Sequence, residues 1–343
     1  MDNLLVTSVQ RTVTAWALLA VSPAFGAVLY TQNFEVDPSA SWTVNSFPAT
    51  DAAANFFFDY STVGISSAPS ALGTRGMKLQ ANQFSGVFGG MSVSPNGQNF
   101  GASYTVTFDW WANFNGPFPA GGSGSTQLST FGAGTSGTVA QWPAGAQDSI
   151  WFGATGDGNS STDWRAYSPT APTRYADTTA GIYAAGAFAG STNAADPYYA
   201  GLGSNDAPAA QLALFPQQSG TTLAGSAGME WHQVEITVGP LNVTWTVDGV
   251  LIATIPVLDD TVNTGNNIFF GHSDTNTTSS TDPNDEALLF TLIDNITVTD
   301  STVEVPEPRT LALLAFGLGG LALSRRRRRA NREAADDSKL LPV

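Results

Sequence analysis

The run Asn242-Val-Thr-Trp-Thr-Val247 alternates polar and apolar residues, breaks at Asp248-Gly249, and returns through Val250-Leu-Ile-Ala-Thr-Ile255. A period of two puts successive side chains on opposite faces of a pleated strand, and Asp-Gly tolerates the positive φ values of a type I′ turn. The spacing predicts a β-hairpin, and the same alternation recurs elsewhere. Trp231 to Val238 places His232, Val234, Ile236 and Val238 on one face. Ser103 to Asn113 sends Tyr104, Val106, Phe108, Trp110 and Ala112 inward and leaves Thr105, Thr107, Asp109 and Trp111 outward. Further strands are expected at 28–35, 56–59, 76–81, 85–93, 148–153, 267–272 and 288–298. Between Gly116 and Gly228 the pattern loosens into Gly, Ala, Ser and Pro, which reads as a loop-rich insertion with a few embedded strands.

Charge and chemistry narrow the function. From Ala27 to Glu304 there are four basic residues against twenty-three acidic ones, a net charge near −19. Such a surface repels nucleic acid and anionic membranes. The chain has no cysteine, which excludes disulfides, thiolate metal sites and a cysteine nucleophile, and its two histidines leave little for proton transfer.

The two ends read as addresses. Arg11 precedes a ten-residue apolar run, Thr12 to Val21, and Ser22-Pro-Ala-Phe-Gly-Ala27 offers small residues at cleavage spacing. Residues 1–26 are therefore expected to form a signal peptide with a helical apolar core. At the other end, Val305-Pro306-Glu307-Pro308 is followed by thirteen apolar residues, Leu311 to Leu323, and by Arg325, Arg326, Arg327, Arg328 and Arg329. Thirteen helical residues span roughly 20 Å, short of the ~30 Å hydrocarbon core, so the run suits a thinned bilayer and a transient stay. The arginines favour a cytoplasmic tail, which puts the body outside the cytoplasm. The prolines keep the preceding linker extended and open to proteolysis. The alternative is an ordinary unprocessed anchor.

This order of Pro-Glu-Pro, apolar segment and basic cluster resembles the C-terminal signal of the PEP-CTERM family. The resemblance implies an exosortase-type membrane peptidase as partner, with membrane attachment through the C-terminal helix before processing. It also implies residence in the cell envelope, at the surface or in the medium. The expected organisation is a signal peptide at 1–26, a β-sandwich at 27–302, the sorting signal at 303–329 and a polar tail at 330–343.

The body carries a second resemblance. Glu230-Trp-His-Gln-Val-Glu-Ile-Thr-Val238, Val247-Asp-Gly249, Ile268-Phe-Phe-Gly271 and Phe290-Thr-Leu-Ile-Asp-Asn-Ile296 are similar to the closing strands of concanavalin A-like or laminin G-like jelly rolls. The implied fold is all-β, an antiparallel sandwich. Its implied activities are glycan binding, often with calcium, or β-glucan hydrolysis.

For the hydrolases of that fold the resemblance implies carboxylates at i, i+2 and i+4 on one strand face, spaced for nucleophile and acid. Glu35-Val-Asp37 supplies two and then meets Pro38, while Glu230 and Glu235 differ by an odd offset. No catalytic residue is assigned, and a surface glycoside hydrolase is the alternative to a non-catalytic glycan-binding or structural module. Trp111 beside Asp109 could form a platform for a sugar ring, as could Trp142 and Trp164; burial under a loop is the other reading of each. Asp274, Asp282 and Asp285 bracket an oxygen-rich loop of the kind Ca²⁺ prefers, against a plain solvated turn. Asp294 falls in phase with Leu288, Phe290 and Leu292 on a face that should be buried. A carboxylate there needs donors, an ion, or a bulge that turns it away.

Overall fold

In the computed structural model, the chain is described over residues 26–301 apart from 71, 82–85, 119–126, 191, 258–264 and 278–281. The signal peptide expected at 1–26, apart from Gly26, the sorting signal and the polar tail lie outside the described residues. Among the described residues no helix is long and apolar enough to cross a membrane.

The alternating segments form the strands that their period dictates. β1 (Val28–Gln32), β3 (Ala53–Asp59), β4 (Arg75–Gln80), β6 (Tyr104–Asn113), β10 (Trp231–Val238), β11 (Asn242–Val247), β12 (Val250–Pro256) and β14 (Phe290–Asp300) make an eight-stranded sheet in the order β12-β11-β10-β6-β14-β4-β3, with β1 also on β14. β2 (Trp42–Phe47), β5 (Gly90–Pro95), β7 (Gln127–Thr135), β8 (Ile150–Ala154), β9 (Trp164–Tyr167) and β13 (Asn267–Asp274) make a six-stranded sheet in the order β2-β5-β13-β7-β8-β9. The strand pairings are antiparallel. The chain winds back and forth between the two sheets, giving the all-β antiparallel sandwich expected. Asp248 and Gly249 have φ of 50° and 76°, as a type I′ turn requires.

Aromatic rings fill the space between the sheets. Phe108 meets Phe131 and Phe270 edge-on at 5.2 and 4.9 Å, and Trp110 meets Phe131 at 5.3 Å. Trp245 packs on Phe131 and Phe152. Edge-to-face pairs of this kind contribute beyond their buried area, on the order of 1 kcal/mol each.

Two sequence expectations take a sharper form. The 116–228 segment, expected as a loop-rich insertion with a few embedded strands, supplies β7, β8 and β9, half of the smaller sheet. β8 falls on the strand expected at 148–153, whereas β7 escapes the alternation test because Gly132 sits beneath a large ring. A Cβ on Gly132 would come within 2.4 Å of Trp151 Cβ and 2.6 Å of the Phe269 ring.

The second change concerns β14. Its register against β6 shifts between Asp294 and Thr297, and Asn295 adopts φ of 52°. Before this bulge Leu292 and Asp294 lie opposite Trp111 and Asp109 on the outer side; after it Val298 lies opposite Val106 on the inner side.

Candidate functional site

The outer side of the larger sheet is covered where β6 carries Asp109 to Asn113. A 3-10 turn at Tyr60–Val63, the loop that follows it, and the short helix α1 (Ala209–Leu214) form a third layer. Ser70 donates its amide (3.1 Å) and its hydroxyl (2.6 Å) to Asp109, and Asn295 Nδ2 donates to the same carboxylate at 2.8 Å. Tyr60 donates its hydroxyl to Asp294 at 3.1 Å, and the Asn295 amide donates to Asp294 at 2.7 Å. Burial, with the charge of Asp109 adding to it, pushes the Asp294 carboxyl up to about 7. The two acids are cross-strand partners, and donors from the covering loop and the bulge already meet them. A glycosidase pair must instead flank a bond held in a cleft. Here the pair ties the third layer to the sheet.

Trp111 lies beneath the same layer. Only 3 % of its surface is exposed, its ring packs against Trp231 at 5.8 Å, and its indole N–H donates to Asn113 Oδ1 at 2.9 Å. Trp164 is fully buried in the interior between Trp110, Trp245 and Tyr199, donating to the Gly225 carbonyl. Neither presents a ring face to a sugar, and Asp109 is buried as well. The alternation of β6 identifies a second face correctly, but the layer covering that face comes from residues remote in sequence.

Trp142 differs. On β2, at the edge of the smaller sheet, Thr43, Asn45 and Phe47 share the outer face by strand alternation. Phe47 lies opposite Gly90 of β5. A Cβ on Gly90 would fall 2.9 Å from Trp142 Cβ and 2.3 Å from Ser273 Oγ, so glycine is what admits the tryptophan here. Trp142 then stacks on Phe47 with centroids 5.2 Å apart and planes 10° from parallel, and Phe88 closes the group edge-on at 5.2 Å. Gln147 Nε2 and the Gly145 amide both donate to the Trp142 carbonyl, fixing the loop that carries it. Trp142 is half-buried, whereas Phe47 is 55 % exposed. Phe47 did not stand out in the sequence; its only cue is a large apolar residue ending a short run before Pro48.

The four acids proposed as calcium ligands are not brought together. Asp274 is buried at the end of β13, where the Gly89 amide donates to it; burial, then the charge of Asp51, pushes it up to about 8. Asp282 caps a turn by accepting the Asn284 amide at 2.8 Å, a bond that lowers its pKa. Asp285 accepts from Asn115 Nδ2 at 2.7 Å in the first turn of α2 (Asp285–Leu288), and Asp294 belongs to the Asp109 pair. Among the described residues no group of three or more His, Asp or Glu side chains is placed to hold a metal ion.

Both histidines are buried and engaged. His232 contacts Asp248 at 2.6 Å and the Ala227 carbonyl at 3.0 Å, clamping the hairpin turn. His272 sits between Thr291 and Gln127 in the core, where burial lowers its pKa to about 3. Neither is presented to a substrate as a surface base.

Residues 304–329 match the model of the PEP-CTERM protein-sorting motif. The chain carries a PEP-CTERM sorting motif. The match covers Pro306, Glu307 and Pro308, the apolar run and the arginines through Arg329, and it directs the body that precedes it to export and exosortase processing. No curated protein matches the chain in sequence. Among solved structures, it is similar to a Bacillus subtilis protein of unknown function with a galectin-like fold, at 9 % identity and a TM-score of 0.44, covering 81 % of this chain and 97 % of that one. It is also similar to the Ca²⁺-bound exoplasmic domain of VIP36, at 7 % identity and TM-score 0.39, covering 80 % and 90 %. A third is Crh5 transglycosylase in complex with NAG, at 12 % identity and TM-score 0.38, covering 81 % and 86 %.

Proposed function

We propose that this is an exported cell-envelope protein, delivered and trimmed by an exosortase-type peptidase, whose β-sandwich works outside the cell as a non-catalytic, lectin-like or structural module on extracellular polysaccharide. The sorting motif at 304–329 carries the reading. A body near −19 in charge with no cysteine is compatible with it. The chemistry of the body supports the non-catalytic part. Asp109 and Asp294 are buried under Ser70 and Tyr60, both histidines are engaged, and Glu35 accepts the Arg75 amide at 3.3 Å.

A reducing-end assay over a β-glucan panel tests it. The expected result is no turnover. Turnover that disappears on changing Glu35 or Glu230 would establish a surface glycoside hydrolase in its place.

A further inference from the structure

We infer that the Phe47–Trp142–Phe88 group is the sugar-contacting surface of this sandwich, and that its ligand is a neutral polysaccharide met ring face to ring face. The inference rests on the glycan-binding reading above and names its site and ligand class.

Three observations combine. The first is geometric. Phe47 is 55 % exposed, yet it is not a loose side chain, because Trp142 lies parallel against it at 5.2 Å and Phe88 abuts the indole at 82°. Gly90 and Gly145 show that the tryptophan is seated deliberately. A Cβ on Gly145 would fall 2.2 Å from the indole nitrogen, and one on Gly90 would displace the Trp142 Cβ. An exposed ring held rigid by a buttress loses little freedom when a ligand stacks on it.

The second observation is chemical. An aromatic face is electron-rich, and one face of a pyranose ring offers a row of polarised C–H groups that match it, leaving the hydroxyls to water or to polar neighbours. The third is electrostatic. A body charge near −19 opposes uronic-acid or sulfated polymers, and it opposes a second copy of this chain equally. One exposed ring with two supporting rings is also far smaller than the roughly 1,000 Å² that a stable protein interface buries. A neutral sugar is the occupant that fits both the size and the charge.

Affinity electrophoresis of the purified protein in gels containing β-1,3-glucan, β-1,4-glucan, galactomannan or polygalacturonate tests the assignment. The parent should be retarded in at least one neutral gel and not by polygalacturonate, with no loss of retardation at high salt. Phe47→Ala should weaken retardation about tenfold while circular dichroism stays unchanged, and Phe47→Tyr should restore it. Retardation of the parent that Phe47→Ala leaves intact would overturn this surface and leave the glycan-binding reading standing. A parent retarded by no polysaccharide would remove that reading and the surface together. Stronger retention by polygalacturonate, or a dimer that Phe47→Ala dissociates, would overturn the ligand class.

Discussion

Replacing Trp111 by alanine should destabilise the sandwich by about 3–5 kcal/mol and lower its thermal midpoint by roughly 6–10 °C, with polysaccharide retention unaltered. Trp111 is buried to 3 % exposure against Trp231, so truncation leaves a cavity roofed by the third layer. The loss is not confined to the ring. Asn113 accepts the Trp111 N–H and the Gln211 amide, and donates to the Leu288 carbonyl, which links β6 to α1 and to the residues preceding β14. Removing one member of a buried polar chain leaves the others without full partners. Denaturant titration of parent and variant measures the stability term. Lost retention at unchanged stability would mean that Trp111 does face a ligand.

The second large effect depends on pH. Asp294 has its pKa raised to about 7 in the folded protein, chiefly by burial, against 3.8 for the free side chain. A raised carboxyl binds its proton more tightly when folded, so its contribution to stability is fully present below about 3.8 and is lost as pH rises towards 7. The loss is on the order of 4 kcal/mol at most. Asp294→Asn removes this dependence, because the amide is neutral at every pH and can donate to Asp109. The variant should therefore gain on the parent steadily between pH 4 and pH 8 in urea titrations. His272 acts in the opposite sense. Its folded pKa is lowered to about 3 from 6.5, so its contribution is full above 6.5 and fades as pH falls towards 3. Parallel pH profiles for parent and Asp294→Asn would show that Asp294 is ionised in the folded protein at all these pH values.

The strands that read cleanly in the sequence have one covered face and one wet face. β10 buries His232, Val234, Ile236 and Val238 and exposes Gln233 and Glu235, and the hairpin β11–β12 closes on Asp248-Gly249 as its residues require. In β7, covered on both faces, the period disappears. β7, Gln-Leu-Ser-Thr-Phe-Gly-Ala-Gly-Thr, is buried along its length, and Gly132 makes room for the Phe269 ring rather than marking a loop. The same cause misdirects the reading of Trp111 and Trp164. Alternation says that Trp111 leaves the sandwich core, and it does; the chemistry of one strand cannot say that residues 60–70 and 209–214 fold over it. Asp294 was legible as an anomaly, since a carboxylate in phase with Phe290 and Leu292 demanded a bulge or donors, and the structure provides both. Phe47 was not legible, because its exposure and its stack on Trp142 arise from a pairing across 95 positions of the chain.

The sorting motif makes the most exposed claim of all, that the working protein is the body without its tail. Intact-mass spectrometry of the protein recovered from the cell envelope and medium tests this directly. The expected species has lost its N-terminal export signal and everything from Leu311 onward, Arg325 to Arg329 included, and a longer species accumulates in the membrane when the exosortase is removed. A steady-state mass that retains the arginine tail in cells with an active exosortase would contradict it.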